Sequence, residues 1–248
     1  RNTGNMELHS FSYSGSRTDC AAKHIALRTL GSYVQPACEG GVVPMKIFAI
    51  GLNYDSHNRE MRRTFEASEP VIFMKPDTAL LRNGNPFFLP DFSSEVHYET
   101  ELVLRINRLG KNIAEKFAYR YYDEITVGID FTARDLQRKQ KESGLPWEIA
   151  KSFDNAAPIG EFISKKQIPD INNINFRLDI NGNTVQKGNS RDLIYSFDKI
   201  IAYISRFFTL KIGDLIFTGT PAGIGGVSIN DRLEGYIEDK KLLDFKIK

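Results

Sequence analysis

From Met45 to Gly51 the chain reads Met-Lys-Ile-Phe-Ala-Ile-Gly, an apolar block closed by glycine, and this predicts a strand. Comparable blocks recur. Val71 to Lys75 follows Pro70, His97 to Arg105 ends in Leu-Val-Leu-Arg, and Ile125 to Phe131 is apolar on both sides of Asp130. Further on, Phe176 to Ile180 and Thr184 to Lys187 flank Asn181-Gly182-Asn183, a hairpin turn. Leu215 to Thr218 is a buried-type strand, and Ile229 to Ile247 holds two more. Helical signals are fewer. Asp55 to Thr64 is polar without a breaker, and Ala114 to Tyr122 also reads as helix. Ala133 to Ser143 is a polar helix ended by Gly144, with Pro146 two residues on. Leu193 to Phe208 carries Ile194, Phe197, Ile201 and Ile204 at helical spacing. Pro76 to Pro90 reads as loop. The sum is a mainly β, mixed-sheet domain with peripheral helices, an α+β arrangement.

Before Met45 the pattern fails. Residues 1–44 scatter Ser, Gly and Thr without a sustained period, and hold both cysteines, Cys20 and Cys38. They are expected to be an N-terminal extension outside the fold, with residues 45–248 as the catalytic domain. A transit peptide is the competing reading, since Arg17, Lys23 and Arg28 outnumber nearby acids, although Glu7, Asp19 and Glu39 count against it. Bulk properties narrow the partners. A net charge of +2 over 33 basic and 31 acidic residues gives no pull toward nucleic acid or membrane. No apolar run approaches the ~20 residues that span a bilayer. The sparse cysteines fit a reducing compartment, and the expected location is cytoplasmic.

Two carboxylates break the apolar pattern. Glu99 and Glu101 stand two apart in a strand, so both leave one face, with Cα atoms ~6.6–6.8 Å apart. They repel each other and lose hydration unless a cation lies between them. A solvated acidic edge would also explain the pair. Asp130, in the apolar surroundings of a second strand, favours the metal reading. Three hard oxygen ligands suit Mg2+ or Mn2+ and leave positions for water and a chelating substrate. His97 shares the face of the glutamates and reads as a supporting or core histidine rather than a ligand.

Other groups offer chemistry with an ordinary alternative beside each. Lys151 lies near Trp147, Ile149 and Phe153, and a partly buried ammonium there needs an anionic partner. Three carboxylates with one divalent ion sum to −1, so a neighbouring cation is expected. His57 and Glu60, three apart, face each other on a helix, either as a base with its orienting carboxylate or as a surface pair. Arg134 and Gln137, one turn apart, would grip a substrate carboxylate or line a solvated helix face. Thr220 could offer its hydroxyl and N–H to the same carboxylate. Gly219, Gly223, Gly225 and Gly226 are not a nucleotide loop, for no Gly-Lys-Ser/Thr follows. No Gly-x-Ser-x-Gly elbow exists for serine hydrolysis.

Five ordered motifs then carry a resemblance. These are Gly51-x-Asn53-Tyr54-x-x-His57; His97-x-Glu99-x-Glu101-Leu102; Gly128-x-Asp130-x-Thr132-Ala133-Arg134-Asp135; Gly144-Leu145-Pro146-Trp147-x-x-x-Lys151-Ser152-Phe153; and Thr218-Gly219-Thr220-Pro221. From about Met45 to Lys248 the chain resembles the fumarylacetoacetate hydrolase family, in its short members related to acylpyruvate hydrolases and oxaloacetate-processing enzymes. The resemblance implies a mixed β-roll, a homodimer, and Glu99, Glu101 and Asp130 as ligands of Mg2+ or Mn2+. It also implies His57 with Glu60 as a catalytic dyad and Lys151 as the active-site lysine. The implied substrate is a small β-dicarbonyl or 2-oxo acid. C–C hydrolysis of an acylpyruvate or fumarylpyruvate is the expected reaction, because the dyad suits water activation. Oxaloacetate decarboxylation and keto–enol isomerisation, as of 2-hydroxyhepta-2,4-diene-1,7-dioate, are the alternatives on the same site. A silent binding or scaffold protein belongs to another class; loss of a ligand, the dyad or Lys151 would point there, and all are present.

Overall fold

The computed structural model describes residues 45–61 and 68–248. The expectation for residues 1–44 lies outside these, as does the end of the helix expected to reach Thr64. The core is a six-stranded sheet in the order Val71–Lys75, Ile47–Gly51, Leu215–Phe217, Thr100–Ile106, Tyr122–Ile129, Ile163–Ser164. Ile47–Gly51 and Leu215–Phe217 run parallel and the other neighbours antiparallel, so the sheet is mixed. Its middle strands are covered on both faces, which is why they read as continuous apolar runs: Leu102, Val103 and Leu104 are all fully buried. A four-stranded antiparallel sheet, Asn183–Asn189, Asn175–Ile180, Arg232–Ile237 and Lys240–Lys246, packs on it. The approach is close enough that a Cβ on Gly235 would lie 2.9 Å from Val127 Cγ1.

The helices are peripheral and shorter than the pattern predicts. Phe197–Phe207 buries Phe197, Ile200, Ile201 and Ile204, and Ser196 caps it by accepting from the Lys199 N–H at 3.3 Å. The helix thus begins four residues after Leu193, and Ile194 lies outside it, 45% exposed. Between Ala114 and Tyr122 only Glu115–Ala118 is α-helical, and Tyr122 already belongs to the next strand. Among the described residues no helix is long and apolar enough to cross a membrane.

The informative departure is at Glu99. The strand expected from His97 to Arg105 is two strands, Val96–Tyr98 and Thr100–Ile106, and they serve different sheets. The first pairs with Thr132–Ala133 and Gly225–Gly226, the second with Leu215–Phe217 and Tyr122–Ile129. Alternation continues through the break, which a sequence pattern therefore cannot reveal. Glu99 sits at the junction, where its carbonyl accepts from the Asp130 N–H at 2.8 Å.

Gly128, two residues before Asp130, lies where three elements converge. A Cβ there would stand 2.8 Å from Val103 Cγ2, 2.9 Å from Phe217 Cε1 and 3.0 Å from the Pro158 carbonyl. Overpacking of this kind typically costs about 1–3 kcal/mol. Gly128→Ala is expected to lower the melting temperature by a few degrees per kcal/mol, read by calorimetry; an unchanged Tm would show that the strands yield without cost.

Candidate metal centre

Oxygens of Glu99, Glu101 and Asp130 all lie within 4.8 Å of one another, and the three residues are 6%, 2% and 1% exposed. Each comes from a different backbone setting: the junction between sheets, the start of a core strand, and the residue after Tyr122–Ile129. Three cations close around them. Lys151 Nζ is 2.7 Å from both Glu99 Oε2 and Asp130 Oδ2. Arg134 Nη2 donates to Glu99 Oε1 at 2.6 Å. Lys75 Nζ lies 2.7 Å from Asp130 Oδ1 and also donates to the carbonyls of Lys151 and Ala156.

This surrounding sets the carboxyl groups apart. Burial pushes Glu99 upward, but Lys151 and Arg134 outweigh it and hold the group well below the usual carboxylate range. Glu101 moves well above that range, through burial first and then Asp130 and Glu99, against the Gly219 N–H that donates to its Oε2 at 2.7 Å. Burial lowers Lys75, with Asp130 opposing, while Asp130 and Glu99 carry Lys151 above its ordinary value despite burial. Three buried carboxyl groups this close together disfavour one another's charge, and a divalent cation among them would relieve that. Among the described residues the cluster is three hard oxygen donors, a set that fits Mg2+ or Mn2+.

The other expected residues gather at the same place. A small cavity is lined by His57, Arg134, Gln137, Lys151 and Thr220 together with the three carboxylates, and walled by Phe73 and Trp147. His57 is buried on the helix Asp55–Glu60, with Nδ1 3.5 Å from Glu60 Oε2. Glu60 stands further out and accepts from the Gly223 N–H at 3.1 Å. Arg134 is tied to Glu99 and to Gln137, whose Oε1 accepts from Nη1 at 2.7 Å. The Thr220 hydroxyl donates to the Thr100 carbonyl at 2.9 Å and accepts from Gln186 Nε2 at 2.8 Å. His97 lies behind the site, accepting from Arg134 Nε at 3.4 Å and 3.1 Å from Glu95.

Sequence reasoning missed Lys75 and Gln186. Lys75 ends an apolar strand just before Pro76, and a lysine that ends such a run inward is the signal it gave. Gln186 binds both the Thr100 N–H, at 3.0 Å, and the Thr220 hydroxyl. It stands at an inward position of a hairpin strand, which its sequence neighbourhood does not distinguish.

Residues 46–247 match the family described as Fumarylacetoacetate (FAA) hydrolase C-terminal. Oxaloacetate tautomerase FAHD1, mitochondrial, of Mus musculus is 40% identical over 202 residues, which is 82% of this chain and 91% of the relative. Among solved structures, fumarylpyruvate hydrolase from Pseudomonas aeruginosa, in complex with Mn2+ and pyruvate, is 35% identical with a TM-score of 0.77, covering 82% of this chain and 88% of that one. The 2-hydroxyhepta-2,4-diene-1,7-dioate isomerase from Mycobacterium marinum is 32% identical with a TM-score of 0.71, covering 83% and 75%.

Proposed function

This chain belongs to the fumarylacetoacetate hydrolase family, whose members are enzymes, and we propose that it is a Mg2+- or Mn2+-dependent enzyme acting on a small 2-oxo acid. The observation that carries the reading is the buried Glu99, Glu101 and Asp130 cluster, ringed by Lys75, Lys151 and Arg134. When bound, the ion supplies Lewis-acid polarisation of the substrate's 2-oxo group.

The chain's own groups define the rest. Lys151, shared between Glu99 and Asp130, places a positive charge beside the position where a 2-oxo oxygen gains negative charge. Gln137 and Thr220 lie on the cavity wall as partners for the 1-carboxylate; Arg134 orients Gln137 while holding Glu99. His57 faces the same space and is the group placed to take or return a proton. Phe73 and Trp147 narrow the access of water.

These roles fit keto–enol tautomerisation of oxaloacetate best, because stabilising charge on the 2-oxo oxygen and moving one proton suffices, and the mouse relative carries that activity in its name. C–C hydrolysis is the second reading, favoured by the His57–Glu60 pair at the cavity edge. The two are separated by assaying oxaloacetate and acylpyruvates side by side with Mg2+, and turnover of neither would sink the proposal.

We further propose that the domain starts at Met45. The family match begins at residue 46, and the first core strand at Ile47. Removing residues 1–44 is expected to leave Tm and Mg2+-dependent activity close to the parent's. An insoluble product, or one that melts far lower, would place those residues in the fold.

A further inference from the structure

The cavity wall continues beyond the carboxylates along the helix Arg134–Glu142. Arg134, Gln137 and Lys141 are three and four residues apart and share one side of it. Gln137 Oε1 accepts from Arg134 Nη1 at 2.7 Å and from Lys141 Nζ at 3.0 Å. With that oxygen claimed by two cations, the amide NH2 of Gln137 is the donor left to meet a substrate. Lys141 Nζ also lies 5.8 Å from the centre of the Trp147 ring. Gln137 and Trp147 both line the cavity, so the half-buried ammonium of Lys141 stands against two of its walls. Along the helix axis Lys141 is ~6 Å beyond Gln137, a span of a few carbon–carbon bonds.

Charge balance gives this position a purpose. Glu99, Glu101 and Asp130, if all ionised, contribute −3, and Lys75, Lys151 and Arg134 contribute +3. One divalent ion therefore brings the centre to +2. A substrate 1-carboxylate and one negative charge developing on its 2-oxo oxygen balance that amount. A second carboxylate on the substrate finds no remaining charge at the centre and must meet a cation elsewhere.

We infer that Lys141 is a specificity-determining residue that recognises a carboxylate at the far end of a 2-oxo acid, and so selects 2-oxo dicarboxylates over monocarboxylates of equal length. The inference rests on the reading of the site as a 2-oxo acid centre. It concerns only which member of that class binds.

Trp147 is the single tryptophan of the chain and reports on this wall directly. The full chain, saturated with Mg2+, is titrated by tryptophan fluorescence and by calorimetry with two matched pairs. These are oxaloacetate against 2-oxobutyrate and 2-oxoglutarate against 2-oxovalerate. At least one dicarboxylate is expected to bind more tightly than its partner. Lys141→Met is expected to weaken that dicarboxylate about 5-fold, the size of a half-buried charge pair, and to leave the monocarboxylate within about twofold. Lys141→Arg should retain the preference, as should Lys139→Met at an exposed neighbour. High salt should narrow it. A parent that binds both members of each pair equally overturns the proposal while the 2-oxo acid reading stands. Equal weakening of both members by Lys141→Met also overturns it, leaving Lys141 as a support for Gln137 alone. A parent that binds none of the four overturns the underlying reading and the proposal with it.

Discussion

Glu101→Gln is expected to cut Mn2+ affinity by more than the ~10–100-fold typical of losing a group that only supports a ligand. Calorimetry or the loss of the free-ion resonance measures it. The amide is a neutral ligand for a hard ion, and its oxygen can still accept from the Gly219 N–H that now holds Glu101 at 2.7 Å. The fold should therefore survive. The metal-free variant is expected to be at least as stable as the parent, since an amide needs no proton to stay neutral beside Glu99 and Asp130. The parent's pH dependence supplies a second check. Burial, Asp130 and Glu99 raise the Glu101 carboxyl well above its ordinary range, so the ion must displace a proton from it. Affinity in the parent then rises with pH until that proton is gone, and the variant lacks this component of the slope. Unchanged Mn2+ binding in Glu101→Gln would remove Glu101 from the site.

How much of this centre was legible depended on distance along the chain. Glu99 and Glu101 alone could be a solvated acidic edge, and it is Asp130, a carboxylate in an apolar strand, that points to a cation. The core strands are equally plain, for a run such as Leu102-Val103-Leu104 fits burial on both faces. The break at Glu99 is hidden, since two strands in different sheets keep one alternation, and only the pairing partners distinguish them. Lys75 is hidden for a related reason. Its carboxylate partner is 55 positions away, and its two carbonyl acceptors, on Lys151 and Ala156, further still. Residues whose function is to satisfy a distant group leave no local pattern. Helix lengths erred where tertiary packing overrides a weak polar pattern, as between Ala114 and Tyr122, where strand pairing with Ile106 claims Tyr122.

His57→Asn is expected to separate the two reactions that the centre could support. Asparagine keeps a polar side chain of similar reach but cannot take up a proton near neutral pH. If His57 activates water for C–C cleavage, hydrolysis of an acylpyruvate should fall by about 10²–10⁴-fold, mainly in kcat. Mn2+ affinity should stay close to the parent's, because His57 is not among the three clustered carboxylates. Glu60 is placed to orient the ring: it accepts from the Gly223 N–H at 3.1 Å and lies 3.5 Å from His57 Nδ1. Glu60→Gln should therefore reproduce the loss in weaker form. Oxaloacetate decarboxylation needs neither an attacking water nor a base to take a C–H proton, and Lys151 together with a bound ion would still offset charge on the 2-oxo oxygen. The same His57 variant should lose much less of it. Lys151→Met would damage both reactions, which distinguishes the group that balances charge from the group that moves the proton. Should His57→Asn hydrolyse acylpyruvates at the parent rate, the His57–Glu60 pair is structural. Another group must then activate the water, and the pair no longer favours hydrolysis over tautomerisation.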